Sequence, residues 1–177
     1  MMLRRCLSAG LALALAGCGF HPVYMPTAAG KAGPAQRELS SVFVNIIPER
    51  PGQLLRQALQ ERFGDDSGTP ATYDLQVAFS IAGEGVAVEQ NNIATRLRLT
   101  GTATFTLLGR ADKHPVLLTG SARAIDGVNI FDSQYFAADL EVEAEQKRIA
   151  ENIASQIAVQ LASWFREQAS KQASAAL

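Results

Sequence analysis

Residues 93–108, "IATRLRLTGTATFTLL", alternate between two classes of side chain for about fifteen residues, well past the five or six of an ordinary strand. Ile93, Thr95, Leu97, Leu99, Gly101, Ala103, Phe105 and Leu107 fall on one face; Arg96, Arg98, Thr100, Thr102, Thr104 and Thr106 fall on the other. Successive side chains of a strand point to opposite sides of the sheet, so this run buries one face and keeps the other polar. Before it, Tyr73, Leu75, Val77, Phe79 and Ile81 alternate with Asp74, Gln76, Ala78 and Ser80. Gly83 and Gly85 begin a polar turn region that ends at Asn91 and Asn92. Gly109 to Pro115 turns the chain again, and Val116 to Ile125 reads as the next strand, blurred by Gly120 and Ala122. These three strands form an antiparallel meander.

The flanking segments cover its apolar face. Ser40 to Ile47, "SSVFVNII", is β-branched and ends at Pro48, which makes it a first strand with Val42, Val44 and Ile46 on one face. "RPGQLLRQALQERFG" carries Leu54, Leu55, Ala58, Leu59 and Phe63 at helical spacing, with Gly64 as the residue that ends the helix. From about Ala137 the pattern turns helical again: Ile149, Ile153, Ala154, Ile157, Leu161, Trp164 and Phe165 form a stripe, and Glu141, Glu143 and Glu145 sit near the positive end of the dipole. About 30 residues of helix would reach roughly 45 Å. The order β-α-β-β-β-α predicts an α+β two-layer sandwich, a four-stranded mixed sheet with two helices on one face. A right-handed crossover through the first helix makes the first strand parallel to a neighbour, whose identity stays open.

The N-terminus has a different logic. Arg4 and Arg5 precede an apolar stretch, Cys6 to Ala16, that is too short for the roughly 20 residues of a membrane span, so it reads as a secretory signal. It closes on Leu15-Ala16-Gly17-Cys18, which resembles the bacterial lipobox. Small residues at Ala16 and Gly17 allow a peptidase close access to the backbone. Cys18 then becomes the first mature residue and carries covalent diacylglycerol and an N-acyl chain; three acyl chains together anchor a protein durably. Gly19 in place of aspartate at the second mature position favours sorting to the outer membrane. Residues 1–17 are thus the signal peptide, 18–36 the anchor and a Pro-, Gly- and Ala-rich tether, 37–170 one α+β domain, and 171–177, "KQASAAL", a fraying tail.

Cleavage removes Arg4 and Arg5 from sixteen basic residues, leaving fourteen against seventeen acidic ones and a formal charge of −3. That is no footprint for nucleic acid. With Cys6 removed and Cys18 acylated, no cysteine is left for a disulfide or a metal. The two histidines, His21 by the anchor and His114 in a turn, read as solvated imidazoles. There is no G-x-S-x-G elbow and no His/Glu metal spacing, and Asp65 and Asp66 are adjacent in a loop and cannot face each other across a substrate. No active site, metal site or cofactor site is read. Arg96 and Arg98 share a strand face, with Arg123 on the next strand; such a set could hold phosphates or carboxylates, or simply be a solvated face whose charges block aggregation.

Cys18-Gly19-Phe20-His21-Pro22-Val23-Tyr24, then a tether, then β-α-β-β-β-α with a long last helix, resembles the LPS-assembly lipoprotein LptE family, especially its alphaproteobacterial members. "LLRQALQERF" and the run around "ATRLRLTGTATFTLL" share in the likeness, which covers nearly the whole mature chain. It implies a non-enzymatic outer-membrane lipoprotein, attached to the membrane by its lipid and seated as a plug inside or beneath the β-barrel LptD. There it assists barrel assembly and lipopolysaccharide delivery to the surface. In the anchor motif, Gly19, Phe20, Pro22 and Tyr24 carry the resemblance. Some family members have basic residues near the turn between the second and third strands and at the start of the long helix. Here the Gly83–Asn92 turn holds Glu84 and Glu89 and the helix start is acidic, so Arg96, Arg98 and Arg123 replace them as lipopolysaccharide-contact candidates by charge alone. An auxiliary lipoprotein of another envelope lipid transporter, or an anchored periplasmic hydrolase, are the alternatives.

Overall fold

The computed structural model describes residues 33–64, 70–88, 94–111, 113–129 and 135–175. Its elements are α1 (Pro34–Ser40), β1 (Val42–Val44), α2 (Glu49–Phe63), β2 (Tyr73–Val88), β3 (Ala94–Gly109), β4 (Val116–Asn129) and α3 (Tyr135–Ala175). The strands make one sheet in the order β1-β2-β3-β4, with β1 parallel to β2 and the other pairs antiparallel. This is the α+β two-layer sandwich expected from the pattern, with β1 placed at the edge beside β2 and a third helix, α1, added.

Alternation in β3 sets the layers. Leu99, Ala103, Phe105 and Leu107 are buried, while Thr102 and Thr104 are exposed. Across the inner face, residue sizes interlock: Phe105 lies between Val77 and Gly120, and Ala103 between Phe79 and Ala122. The glycine and alanine that blur β4 in the sequence are therefore the room made for larger neighbours; a Cβ at Gly120 would overlap the Phe105 ring. Gly101 plays the same part for α3, since a Cβ there would overlap Ile149 and lie 3.0 Å from Ile153 Cδ1. The helix can approach the sheet this closely because its buried stripe alternates large and small: Ile149, Ala150, Ile153, Ala154, Ile157, Ala158, Leu161 and Ala162. α2 completes the layer with Leu55, Ala58, Leu59 and Phe63 and ends at Gly64, whose φ of +83° is a conformation glycine adopts freely.

Several boundaries differ from the pattern. β1 is three residues long instead of spanning 40–47, because α1 claims Ser40 and the chain leaves the sheet after Val44. Ile46 is consequently 84 % exposed, and Ile47 turns inward in its place. α1 begins at Pro34, within the stretch read as tether; proline suits a first helical turn, and Ala35 and Leu39, four apart, bury themselves in the core. β2 continues through Gly83 and Gly85 to Val88, opposite Leu99 and Leu97, so these glycines are strand residues and not the start of a turn. α3 has 41 residues, beginning at Tyr135 and running through Lys171 to Ala175, past the point where fraying was expected.

Side chains guard both sheet edges. The amide of Gln156 on α3 accepts from Arg123 N (3.3 Å) and donates to Arg123 O (2.9 Å), and Gln160 Nε2 donates to Ser121 O (3.0 Å). At the other edge Arg56 Nε of α2 donates to Val44 O at 3.2 Å. A helix amide thus pairs with β4 much as a neighbouring strand would.

Candidate functional site

The other face of the sheet is covered by none of the described helices. Its centre is mostly small and neutral, with Gln76, Ala78 and Ser80 on β2, Thr102 and Thr104 on β3, Thr119 and Ser121 on β4, all exposed, and one charged side chain, Arg123, opposite Thr102. Charge is confined to its ends and to Arg123. At one end Arg110 holds Asp74 Oδ1 through Nε (3.0 Å) and a terminal nitrogen (2.7 Å) and lies 5.2 Å from the centre of the Phe43 ring. Toward the other end, Arg98 faces Glu84 across the β2–β3 pair at 4.0 Å, a solvent-exposed and weak ion pair.

The three candidate arginines do not form one cluster. Arg96 occupies the position opposite Asn129, Arg98 that opposite Gly127, and Arg123 that opposite Thr102. Arg123 lies four residues along β4 from the partner of Arg98, about 13 Å at 3.3 Å per residue. By register Arg96 and Arg98 are neighbours on one side of β3, and Arg123 stands apart from them. Cys18, Gly19, Phe20, Pro22, Tyr24 and His21 lie outside the described residues. His114 is exposed at φ +40° in the β3–β4 turn, its N–H donated to Ala111 O at 2.8 Å.

Two further features escaped the pattern. Beside the C-terminal part of α3 a groove of about 290 Å³ is lined by Glu38, Tyr73, Leu117, Trp164, Phe165 and Gln168 among others. The Phe165 ring packs 5.1 Å from both Tyr73 and Trp164, measured between centroids. The Tyr73 hydroxyl donates to Glu38 Oε2 at 3.1 Å, and burial together with that carboxylate pushes its pKa up to about 12. Tyr73 thus stays protonated as a donor.

The other is an ionic cluster at the inner face. Asp126 lies opposite Leu99, at the same strand parity as Ala122 and Ala124. Arg148 Nε donates to Asp126 Oδ2 at 3.1 Å, and its terminal nitrogen holds Glu145 Oε1. Burial first, then Asp126, pushes the Glu145 carboxyl above the usual carboxylate range; a hydrogen bond from Glu145 is the main cause holding Asp126 below it. Glu145 does not complement the helix dipole as expected, because α3 starts at Tyr135 and the effect fades within the first turn. Glu143 likewise has another task, an ion pair with Arg50 of α2 at 2.7 Å. A signal was present: Asp126 sits at an apolar parity of β4, and Glu145 is four residues before Ile149 on the buried stripe.

Among the described residues no group of three or more His, Cys, Asp or Glu is placed to hold a metal ion. No helix among them is long and apolar enough to cross a membrane. What the described body offers is a sheet face polar along its centre, with Phe43, Val116 and Ile125 exposed on the same side, and a small aromatic groove.

Comparison with known proteins gives this body relatives. Residues 39–161 match the family model of LptE, described as lipopolysaccharide-assembly. A lipoprotein from Caulobacter crescentus CB15 is similar in structure, with TM-score 0.62 and 25 % identity over 75 % of this chain and 96 % of that one. A minor lipoprotein from Acinetobacter baumannii has TM-score 0.51 and 16 % identity, covering 70 % of this chain and 91 % of the other, and so shares the fold. Lipoprotein B from Nitrosomonas europaea, also at TM-score 0.51, is 14 % identical over 70 % and 82 % of the two chains. No curated protein matches the chain. The family match spans the first strand, α2, the whole meander and α3 as far as Leu161, more than half of the chain, and on that ground the chain belongs to the LptE lipopolysaccharide-assembly family.

Proposed function

We propose that this chain is a lipid-anchored outer-membrane lipoprotein that partners an LptD-like β-barrel and serves its assembly and the delivery of lipopolysaccharide to the cell surface. The observation that carries this reading is the division of the sheet: one face sealed by three helices, the other long, left uncovered by the described residues, and made at its centre mostly of hydroxyl and amide side chains with the single charge of Arg123. The lumen of a large outer-membrane barrel is polar, so a plug must keep its apolar groups inside its own core and present hydroxyl and amide groups outward. Threonine and serine do this with little side-chain entropy to lose and no ion pair to strip of water. The role is one of binding and positioning, without a chemical step.

Cys18, acylated after removal of residues 1–17, fixes the chain to the membrane. Arg96 and Arg98 are the first candidates for lipid A phosphates, with Arg123 as a separate contact. Cell fractionation tests the anchor and the role together. Cys18→Ala should leave the protein in the soluble periplasmic fraction and lower the lipopolysaccharide exposed at the surface. A Cys18→Ala protein that still fractionates with the outer membrane and supports normal surface lipopolysaccharide contradicts the reading.

A further inference from the structure

Asp126, Glu145 and Arg148 take no part in the outer face, yet ionic groups so close to a core must be accounted for. Glu145 is only 6 % exposed, and as an ionised carboxylate its Oε2 has no hydrogen-bond partner. Leaving a buried polar atom unpaired is costly, and leaving a buried charge unpaired costs more. Two ionised carboxylates here would share a single guanidinium, that of Arg148. One proton resolves the conflict: a protonated Glu145 donates to Asp126, and the pair then carries the single negative charge that Arg148 balances.

Among the described residues the surroundings supply no other counter-charge. From α2 the charged group at this end is Arg50, engaged by Glu143. β3 contributes Leu99 and Gly101 to this layer, and Arg98 lies on the opposite face with Glu84 from β2. α1 places Glu38 at the far end of α3, beside Trp164 and Phe165. Along α3 itself Lys147 points to Glu151 at 3.9 Å. The cluster also sits at a mechanical boundary. C-terminal to it, Ile149 begins the continuous buried stripe; N-terminal to it, Leu140 is 70 % exposed. N-terminal to Arg148 the described contacts thin to Glu145 in the cluster, Glu143 on Arg50 of α2 and the half-buried Val142, so Arg148 is the main described tie between this part of α3 and β4.

We propose that Asp126, Glu145 and Arg148 form a proton-dependent latch between β4 and the N-terminal part of α3, closed while the carboxyl pair holds one proton and loosened when that proton is lost. Burial and the facing carboxylate both favour the protonated form of Glu145, which places the opening of the latch on the alkaline side of the ordinary carboxylate range. The device lets the start of the long helix release from the sheet without disturbing the Ile149–Phe165 core.

Hydrogen exchange of the full mature chain in detergent micelles, at about pH 5 and about pH 8 and corrected for intrinsic exchange rates, tests it. Protection of amides 142–149 should fall several-fold relative to 153–162 between the two, in the direction set by loss of the Glu145 proton. Glu145→Gln keeps a donor to Asp126 and has no proton to lose, so its protection should be the same at both pH values and equal to the closed wild type. Asp126→Asn, which removes the repulsion instead, should also be flat. Wild-type protection that does not change with pH overturns the latch, and so does a Glu145→Gln or Asp126→Asn protein that keeps the wild-type pH dependence.

Discussion

At Gly101 the long helix meets the backbone of the longest-patterned strand with no side chain between them. Gly101→Val would drive two methyl groups into Ile149 and Ile153. Overpacking of this kind costs about 1–3 kcal/mol, so the denaturant midpoint should drop at constant m-value; an unchanged midpoint would mean that α3 is not seated there. The carboxyl pair predicts a stability profile with two limbs. The folded chain holds the Glu145 proton more tightly than the unfolded chain, so that stability is present below its ordinary value of 4.5 and lost as pH rises through the raised value. Asp126 works in the other sense: its contribution is present above its ordinary value of 3.8 and lost as pH falls through the lowered one. Thermal melts across pH should therefore show a maximum on the acid side of neutrality, and Glu145→Gln should flatten the alkaline limb alone. On the outer face, alanine at Arg96 and Arg98 should weaken lipopolysaccharide binding and reduce its salt dependence. Arg123→Ala, about 13 Å away, should add an independent decrement. Titrations at two salt concentrations decide it, and unchanged binding in the triple variant removes the arginines from the site.

At the scale of elements, the edges of the sheet matter as much as its faces. Replacing Gln156 and Gln160 by alanine takes away three hydrogen bonds to β4 backbone groups. At about 1 kcal/mol per bond, the Arg123 amide should exchange roughly five to ten times faster, and the opened edge should favour self-association visible by light scattering. An exchange rate equal to wild type would show that the amides are not sealing the edge. Element identity was readable where side chains repeat: β3 by period two, and α2 and α3 by their stripes. Small residues defeated the reading elsewhere. Gly83 and Gly85 look like turn residues but pair within β2, and Gly120 looks like a break but clears space for Phe105. α1 is only seven residues long, too short to display a helical period. The Asp126–Glu145–Arg148 cluster was hidden for a different reason: its meaning depends on the register between a strand and a helix, which local sequence does not contain.

The whole molecule is a long sheet with three helices on one side. β2 and β3, of 16 residues each, reach about 50 Å at 3.3 Å per residue, and three strands spaced at about 4.8 Å give an outer face of roughly 700 Å². That is close to the roughly 800 Å² each partner contributes to a stable protein interface, and guarded edges leave the face itself as the broad surface available. On the function proposed above, this is the face that would lie against the inside of a barrel. The most direct measurement is affinity purification of the full chain, tagged at its C-terminus, from outer membranes solubilised in mild detergent, with mass spectrometric identification of what accompanies it. An LptD-like barrel recovered in near-equal molar amount is the predicted result; recovery of the chain without any outer-membrane barrel would contradict it.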